Sequence, residues 1–118
     1  MGVGVAAGER RADALFHALA DPTRRDILRR VLVDELSVSS LAGNYPMSFA
    51  AVQKHVAVLE RAGLLTKRPH GRQQLARGEV RAVRSVSSML DELEVLWRGR
   101  VARIDELIAD DCKRSDQA

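Results

Sequence analysis

Between Met47 and Gln74 the chain changes its hydrophobic periodicity abruptly, and that change constrains its fold more than any other feature. In MSFAAVQKHVAVLERAG the apolar residues Phe49, Val52, Val56 and Leu59 recur at steps of three and four. On a helix that spacing gathers them within about 80° of one another. Ser48 is the residue type that caps such a helix at its start, and Gly63 the type that closes it in a left-handed conformation. Leu64 to Arg68 and Gln73 to Arg77 then read as two short strands. Pro69-His70-Gly71-Arg72 joins them, with Gly71 able to supply the positive φ of the turn. The chain therefore has to place a short helix and a β-hairpin in succession, on a scaffold built by the remaining residues.

That scaffold reads as helical. Glu9 to Ala20 puts Ala12, Leu15, Phe16 and Leu19 on one face. Asp21-Pro22-Thr23 is a break and a restart: Asp21 can cap, and Pro22 suits a first helical turn, where no N–H partner is lost. The second helix runs to about Val33, with Ile27, Leu28 and Val31 inward and Arg24, Arg25, Arg29 and Arg30 available to solvent. After the connection Asp34-Glu35-Leu36, Ser37 caps a short third helix from Val38 to Gly43, with Val38 and Leu41 as core contacts. Asn44-Tyr45-Pro46 is the turn into the helix at Ser48, and two short helices joined in this way make a helix-turn-helix. Glu79 to about Ala109 contains no proline, and Val83, Val86, Leu90, Leu93, Trp97, Val101, Ile104 and Ile108 step by three or four throughout. One helix of that span measures about 46 Å at about 1.5 Å per residue. So small a domain cannot bury its whole stripe, so the stripe is expected to pack against a second copy, heptad fashion. Gly99 is the expected weak point.

At 118 residues the chain makes one domain, and aromatic residues at 3% leave its core to aliphatic packing. The expected organisation is a disordered tail over 1–8, a single domain over 9–110 and a frayed tail over 111–118. Met1 to Gly8 lacks the basic start and long apolar run of a signal peptide. No apolar stretch approaches the roughly 20 residues of a membrane span. The lone Cys112 forms no internal disulfide and fits a reducing cytosol, so a cytoplasmic location is expected.

Charge is distributed unevenly. Residues 1–47 hold six basic and six acidic side chains, residues 48–84 eight basic and two acidic, and residues 85–118 five basic and eight acidic. The positive field thus falls on the helix and hairpin, as a phosphate-binding surface requires. On the helix, Lys54 points almost opposite to the core face, amid Ala50, Ala51, Ala57 and Val58, with Gln53 and His55 on the flanks. Small residues let a helix enter the major groove of double-stranded DNA, where Gln53 can reach adenine and Lys54 guanine or phosphate. The expected base-proximal set is Ser48, Phe49, Ala51, Gln53, Lys54 and His55. Arg72 is the expected contact at the hairpin tip, and Arg24, Arg25, Lys67 and Arg68 are expected on phosphates.

With these residues in place, the chain resembles the ArsR/SmtB family of winged-helix repressors. The resemblance rests on LFHALADPTRRDIL (Leu15 to Leu28), on MSFAAVQKHVAVLERAG (Met47 to Gly63), and on Leu64-Leu65 with the basic wing, and covers roughly residues 12–108. It implies a mainly α fold, a winged helix-turn-helix with a two-stranded β-wing and a long C-terminal dimerisation helix. It also implies a symmetric homodimer that binds a palindromic operator and represses transcription, often of its own operon. The first and last helices then form the dimer contact, through Leu15, Phe16, Leu19, Leu90, Leu93, Trp97, Val101, Ile104 and Ile108.

Many members of that family sense metals through a third-helix pattern E-L-C-V-C-D-L. This chain reads Glu35-Leu36-Ser37-Val38-Ser39-Ser40-Leu41, with serine at both cysteine positions. A soft metal needs an ionisable thiolate, which serine does not supply. The last helix carries no histidine, so the family's other common site is missing too. No metal site and no cofactor are expected, and the effector, if the repressor has one, stays unidentified.

The remaining chemistry-bearing residues have ordinary explanations. His17 reads as a packing or capping residue, and His70 as a solvated turn histidine. His55 either reaches DNA or packs between the reading helix and its scaffold. Cys112, between Asp110-Asp111 and Lys113-Arg114, is an inert terminal thiol or a redox sensor. No glycine-rich phosphate loop follows a strand, and the serines are accounted for as caps, so an enzyme is not expected. Two other readings stand beside the metal-independent repressor: a winged-helix module for protein–protein contact, and a repressor answering a small molecule or redox change.

Overall fold

The computed structural model describes residues 2–117, with side chains described for residues 8–114. Five helices and three strands follow in the order α1 (Gly2–Leu19), α2 (Pro22–Val33), β1 (Leu36–Ser37), α3 (Val38–Ala42), α4 (Phe49–Arg61), β2 (Leu65–His70), β3 (Gln73–Gly78) and α5 (Val80–Gln117). The chain divides into two compact units, residues 1–86 and 87–118.

The first unit is a winged helix-turn-helix. Its boundaries are set by the residues that satisfy free backbone groups at helix ends. Asp21 caps α2, its carboxylate accepting from the Arg24 N–H at 3.0 Å, with Pro22 in the first turn. Ser37 caps α3 through the Ser40 N–H at 3.0 Å, and Ser48 caps α4 through the Ala51 N–H at 3.1 Å. At the far end of α4, Gly63 adopts φ +80°. Its N–H donates to Glu60 O, and that of Leu64 to Leu59 O, the paired closure that a left-handed residue permits.

The core is aliphatic. Leu15, Ala18, Ile27, Leu28, Val31, Val38, Leu41, Val52, Val56, Leu59, Leu64, Leu65, Ala76 and Val86 are buried. The expected inward residues of α2, α3 and α4 are therefore in place, apart from Phe49, which is 47% exposed at the start of α4. Tyr45 ties the turn before α4 to α2, its hydroxyl donating to Asp26 at 2.7 Å. Burial and that bond push the Tyr45 phenol up to about 12.

The expected two-stranded wing is part of a three-stranded antiparallel sheet, in the order β1-β3-β2. Leu36 and Ser37 pair with Ala76 and Leu75. Two residues are too few to leave a period-two signal, so the sequence reads this strand as connection. In the hairpin, Leu65 opposes Gly78, Lys67 opposes Ala76, and His70 opposes Gln73. The two-residue loop Gly71-Arg72 has positive φ only at Gly71 (φ +62°), as a type II′ turn requires. Gly78 is a close approach between layers. A Cβ there would lie 2.7 Å from Leu32 Cδ2 and 3.0 Å from Leu32 Cα.

The terminal helices extend beyond their expected spans. The α1 backbone is helical from Gly2, because no proline or cap separates Ala6-Ala7 from the periodic segment. Likewise α5 runs to Gln117 and passes Gly99 without a break. The tails expected at 1–8 and 111–118 lie partly outside the described residues, which begin at Gly2 and end at Gln117.

The second unit is the helical stretch from Ser87. Leu90, Leu93, Val95, Leu96, Trp97, Ile104, Leu107 and Ile108 are all exposed on it. No helix among the described residues is long and apolar enough to cross a membrane.

Candidate nucleic-acid interface

The reading helix and the wing face each other across a groove of about 300 Å³. Strand alternation decides which wing residues turn towards it. Lys67 opposes Ala76 and Pro69 opposes Gln74, so Lys67 and Gln74 share the face whose Ala76 is buried. The groove is accordingly lined by Phe49, Gln53, Lys67, Arg72 and Gln74, with Ser39 at its α3 end. Four residues expected to meet DNA, Phe49, Gln53, Lys67 and Arg72, are thus brought together from two elements. Ser39, Gln73 and Gln74 join them in the lining without having been foreseen. A basic or apolar signal cannot reveal neutral glutamines, but the strand register places Gln74 beside Lys67.

Outside the groove, Ser48 and Lys54 are exposed and Ala51 half-buried. Among the described residues no carboxylate lies within 4 Å of Lys54 or Arg72, so both cations are free to meet an anion. Lys67 is shared: its Nζ lies 3.5 Å from Glu60 Oε1, which ties β2 to α4.

The other expected phosphate contacts are engaged within the fold. Arg24 Nε donates to Ala18 O at 2.8 Å, and Nη2 donates to His17 O at 2.9 Å. These are carbonyls of the last turn of α1, where a guanidinium both satisfies free acceptors and opposes the helix dipole. Arg25 Nη1 donates to Leu19 O at 2.8 Å. Arg68 makes a two-pronged pair with Glu35 at 2.6 and 3.0 Å, fastening β2 to the segment before β1. That guanidinium holds the Glu35 carboxyl below the usual carboxylate range. The run of arginines in a sequence does not distinguish a cation facing solvent from one capping a neighbouring helix.

His55 is half-buried between the reading helix and its scaffold. Its Nδ1 lies 3.3 Å from Arg24 Nη1 and 4.0 Å from Asp21 Oδ1. A guanidinium only donates, so Nδ1 accepts and Nε2 carries the proton. His55 thereby anchors the middle of α4 to the junction of α1 and α2. Asp21, on the same junction, is held below its ordinary pKa chiefly by the hydrogen bond from the Arg24 N–H, with the Arg24 charge adding to it.

Of the residues expected between two copies, Leu15 is only 1% exposed and belongs to the core of the first unit, where α1 packs on it. The correction has a simple cause: one apolar face of α1 has to serve both its own core and any partner, and Leu15 is on the inner side. Phe16, Leu90, Leu93, Trp97, Ile104 and Ile108 are exposed, and Leu19 and Val101 half-buried.

Ser37 is buried at 6% exposure. Its Oγ accepts from the Ser40 N–H and donates to Ser40 Oγ at 2.9 Å, so it is spent on capping α3. Among the described residues no three His, Cys, Asp or Glu side chains are grouped to hold a metal ion.

The family described as bacterial regulatory protein, arsR family, matches residues 21–67, which run from the cap of α2 into the wing. The HTH-type transcriptional regulator Rv2034 of Mycobacterium tuberculosis is 41% identical over 66 residues, a span that covers 56% of this chain and 62% of that protein. The chain therefore matches less than two thirds of this curated relative's length. An ArsR-like transcriptional regulator from Rhodococcus sp. RHA1 has a solved structure that is 30% identical, with a TM-score of 0.74, covering 89% of this chain and 96% of that one. The homodimeric winged helix-turn-helix DNA-binding domain of Mb0332 from Mycobacterium bovis, a possible ArsR-family regulator, is 24% identical with a TM-score of 0.60. Its match covers 77% of this chain and 82% of that one, and at such identity it shows a shared fold.

Proposed function

Because this chain belongs to the ArsR family of bacterial regulatory proteins, we propose that it is a cytoplasmic, sequence-specific DNA-binding repressor acting as a homodimer on a palindromic operator. The observation that carries this reading is the groove between α4 and the wing, which gathers Gln53, Lys67 and Arg72 beside the free cation Lys54. In operation, α4 enters the major groove with Gln53 directed at a base edge, where a glutamine amide matches adenine N6 and N7. Arg72 at the wing tip takes a phosphate or the minor groove. A helix and a hairpin that straddle this groove leave the sugar–phosphate strand between them, beside Lys67, Gln74 and Ser39. Arg24, Arg25, Arg68 and His55 position the reading helix and wing rather than touch DNA.

The exposed stripe of the second unit supports dimerisation. Leu90, Leu93, Trp97, Ile104 and Ile108 offer a second copy an apolar face with helical spacing, and the Mycobacterium bovis relative is itself described as homodimeric. Two reading helices on one face of a duplex would address half-sites about 34–36 Å apart. Repression is independent of thiolate-bound metal, since Ser37 stands where the metal-sensing pattern needs a cysteine and is committed to capping α3.

Binding of the purified protein to DNA from upstream of its own gene, followed by fluorescence anisotropy with and without zinc, tests the reading. A tight complex at stoichiometry two, unaffected by zinc, is expected. Release by zinc overturns the metal-independent assignment, and a stoichiometry of one overturns the dimer.

A further inference from the structure

On the side of the first unit built by α1, the end of α4 and the start of α5 lies a second, larger cleft of about 760 Å³. We propose that this cleft binds a small organic anion with an apolar body, a carboxylate of short aliphatic or aromatic kind, and that the ligand regulates the DNA grip from behind. The inference rests on the repressor reading only for its regulatory half.

Three guanidinium groups converge on the cleft from three separate elements: Arg11 of α1, Arg61 of α4 and Arg81 of α5. All three are exposed, and among the described residues none has a carboxylate within 4 Å. Five other arginines, Arg24, Arg25, Arg30, Arg68 and Arg77, are spent on acceptors within the fold; what distinguishes Arg11, Arg61 and Arg81 is that they line one cleft together. Like charges brought together without an acceptor repel one another, and a bound anion removes that repulsion and gains paired hydrogen bonds. The one acid in the lining, Glu79, offsets the three cations only in part, the Arg81 charge being among those that hold its carboxyl below the usual range. Glu79 Oε1 already accepts from Thr66 Oγ1 at 2.8 Å and from Arg77 Nη2 at 3.3 Å.

Between the arginines the lining includes the apolar side chains Ala14, Ala62 and Ala82, with Leu15 buried beneath them. A cationic rim over an apolar floor selects an amphiphile with a negative head. The volume falls in the range of about 300–1,000 Å³ that small-molecule sites occupy.

Location makes the site regulatory. Helix α4 ends at Arg61 and β2 begins at Leu65, so the reading helix and the wing are hinged at the cleft. The Thr66–Glu79 bond and the bond from Glu79 N–H to Leu64 O (2.8 Å) close the base of the wing there. The cap of α4 at Ser48 is about 20 Å away along the helix. Thr66 lines the cleft from the strand face opposite Lys67, so a ligand there lies behind the reading surface. It acts by changing the angle between α4 and the wing, a coupling between two sites.

The test is a titration of the full-length, isotope-labelled chain with sodium octanoate, read by amide chemical shifts, beside octylammonium chloride of equal length and opposite charge. Saturable shifts at Ala62, Gly63, Thr66 and Ala82 with octanoate alone, weakened at least tenfold in the double variant Arg61→Gln/Arg81→Gln, are expected. Equal response to octylammonium, which needs no variant to interpret, overturns the proposal. So does an unchanged affinity in the double variant. If octanoate leaves every amide unmoved and the double variant sediments as a monomer where the parent is a dimer, the cleft seats a second copy and the proposal falls. DNA affinity of the ligand-free parent is measured separately: specific DNA binding without an octanoate response sinks the ligand site alone. Octanoate binding without specific DNA binding upholds the site and sinks the repressor reading.

Discussion

Replacing Arg24 by alanine separates a structural arginine from a phosphate contact. In the fold Arg24 donates to Ala18 O, His17 O and His55 Nδ1 at 2.8, 2.9 and 3.3 Å. The His17 bond is exposed, and water can replace it. The other two are part-buried, and an acceptor left without a donor there costs about 1–3 kcal/mol. Allowing for partial rehydration, the loss is expected to be about 2–3 kcal/mol. With a urea dependence of about 1–3 kcal/mol per molar, the unfolding midpoint falls by about 1–2 M. Arg24→Lys keeps the charge without the planar fork, and should recover less than half of that loss. DNA binding supplies the second readout. A lost phosphate contact makes the salt dependence of log K shallower by about 0.9. Arg24→Ala is expected to leave that slope unchanged, with affinity lowered only through the looser seat of His55 and α4. A variant as stable as the parent, with a slope shallower by about 0.9, refutes the assignment of Arg24 to the cap of α1.

Other substitutions read other parts of the account. Gly78→Ala drives a Cβ to 3.0 Å from Leu32 Cα, and should cost about 1–3 kcal/mol in chemical denaturation because backbone has to yield. Gln53→Ala should relax preference at one operator position by about 1–3 kcal/mol in a base-substitution series, while Arg72→Ala weakens all sequences alike and flattens the salt slope. Tyr45→Phe removes the donor to Asp26 and should cost about 0.5–1.5 kcal/mol by thermal unfolding. Asp21, Asp26, Glu35 and Glu79 all sit below their ordinary values of 3.8 and 4.5, each chiefly through a hydrogen bond to its charged form. A depressed carboxyl contributes stability above its unfolded pKa and loses it as pH falls through the folded one. Stability should therefore be level through neutral pH and decline below about 4.5, with Asp26→Asn, which removes the titrating charge that Arg30 and Tyr45 bind, showing a shallower acid decline.

What the sequence makes legible here is whatever has a period or a cap. The helix spacing of Val52, Val56 and Leu59, the caps Asp21, Ser37 and Ser48, and the glycines at 63 and 71 each act within one or two turns of chain, so their consequences can be read locally. Strand β1 escapes because two residues make no pattern and its partner, β3, lies 40 positions on, at Leu36 to Ala76. Charge misleads for a related reason. Arg24, Arg25 and Arg68 are basic in a basic chain, but their partners at Ala18, Leu19 and Glu35 are chosen by packing. Gln73 and Gln74 are invisible to a charge census; the hairpin register turns Gln74 to the groove, and Gln73 lines it from the strand end beside the loop. Leu15 and Phe16 are one residue apart on α1, and periodicity alone does not say which is core and which is surface.

The most direct test of the account is the affinity for upstream DNA against scrambled DNA of equal length, measured from about 50 to 200 mM salt, the range over which phosphate contacts are read. The account predicts a preference of at least about a thousandfold for the upstream sequence, with a steep fall in affinity as salt rises. Equal, salt-insensitive binding to the two DNAs would contradict the claim that α4 and the wing form a reading surface.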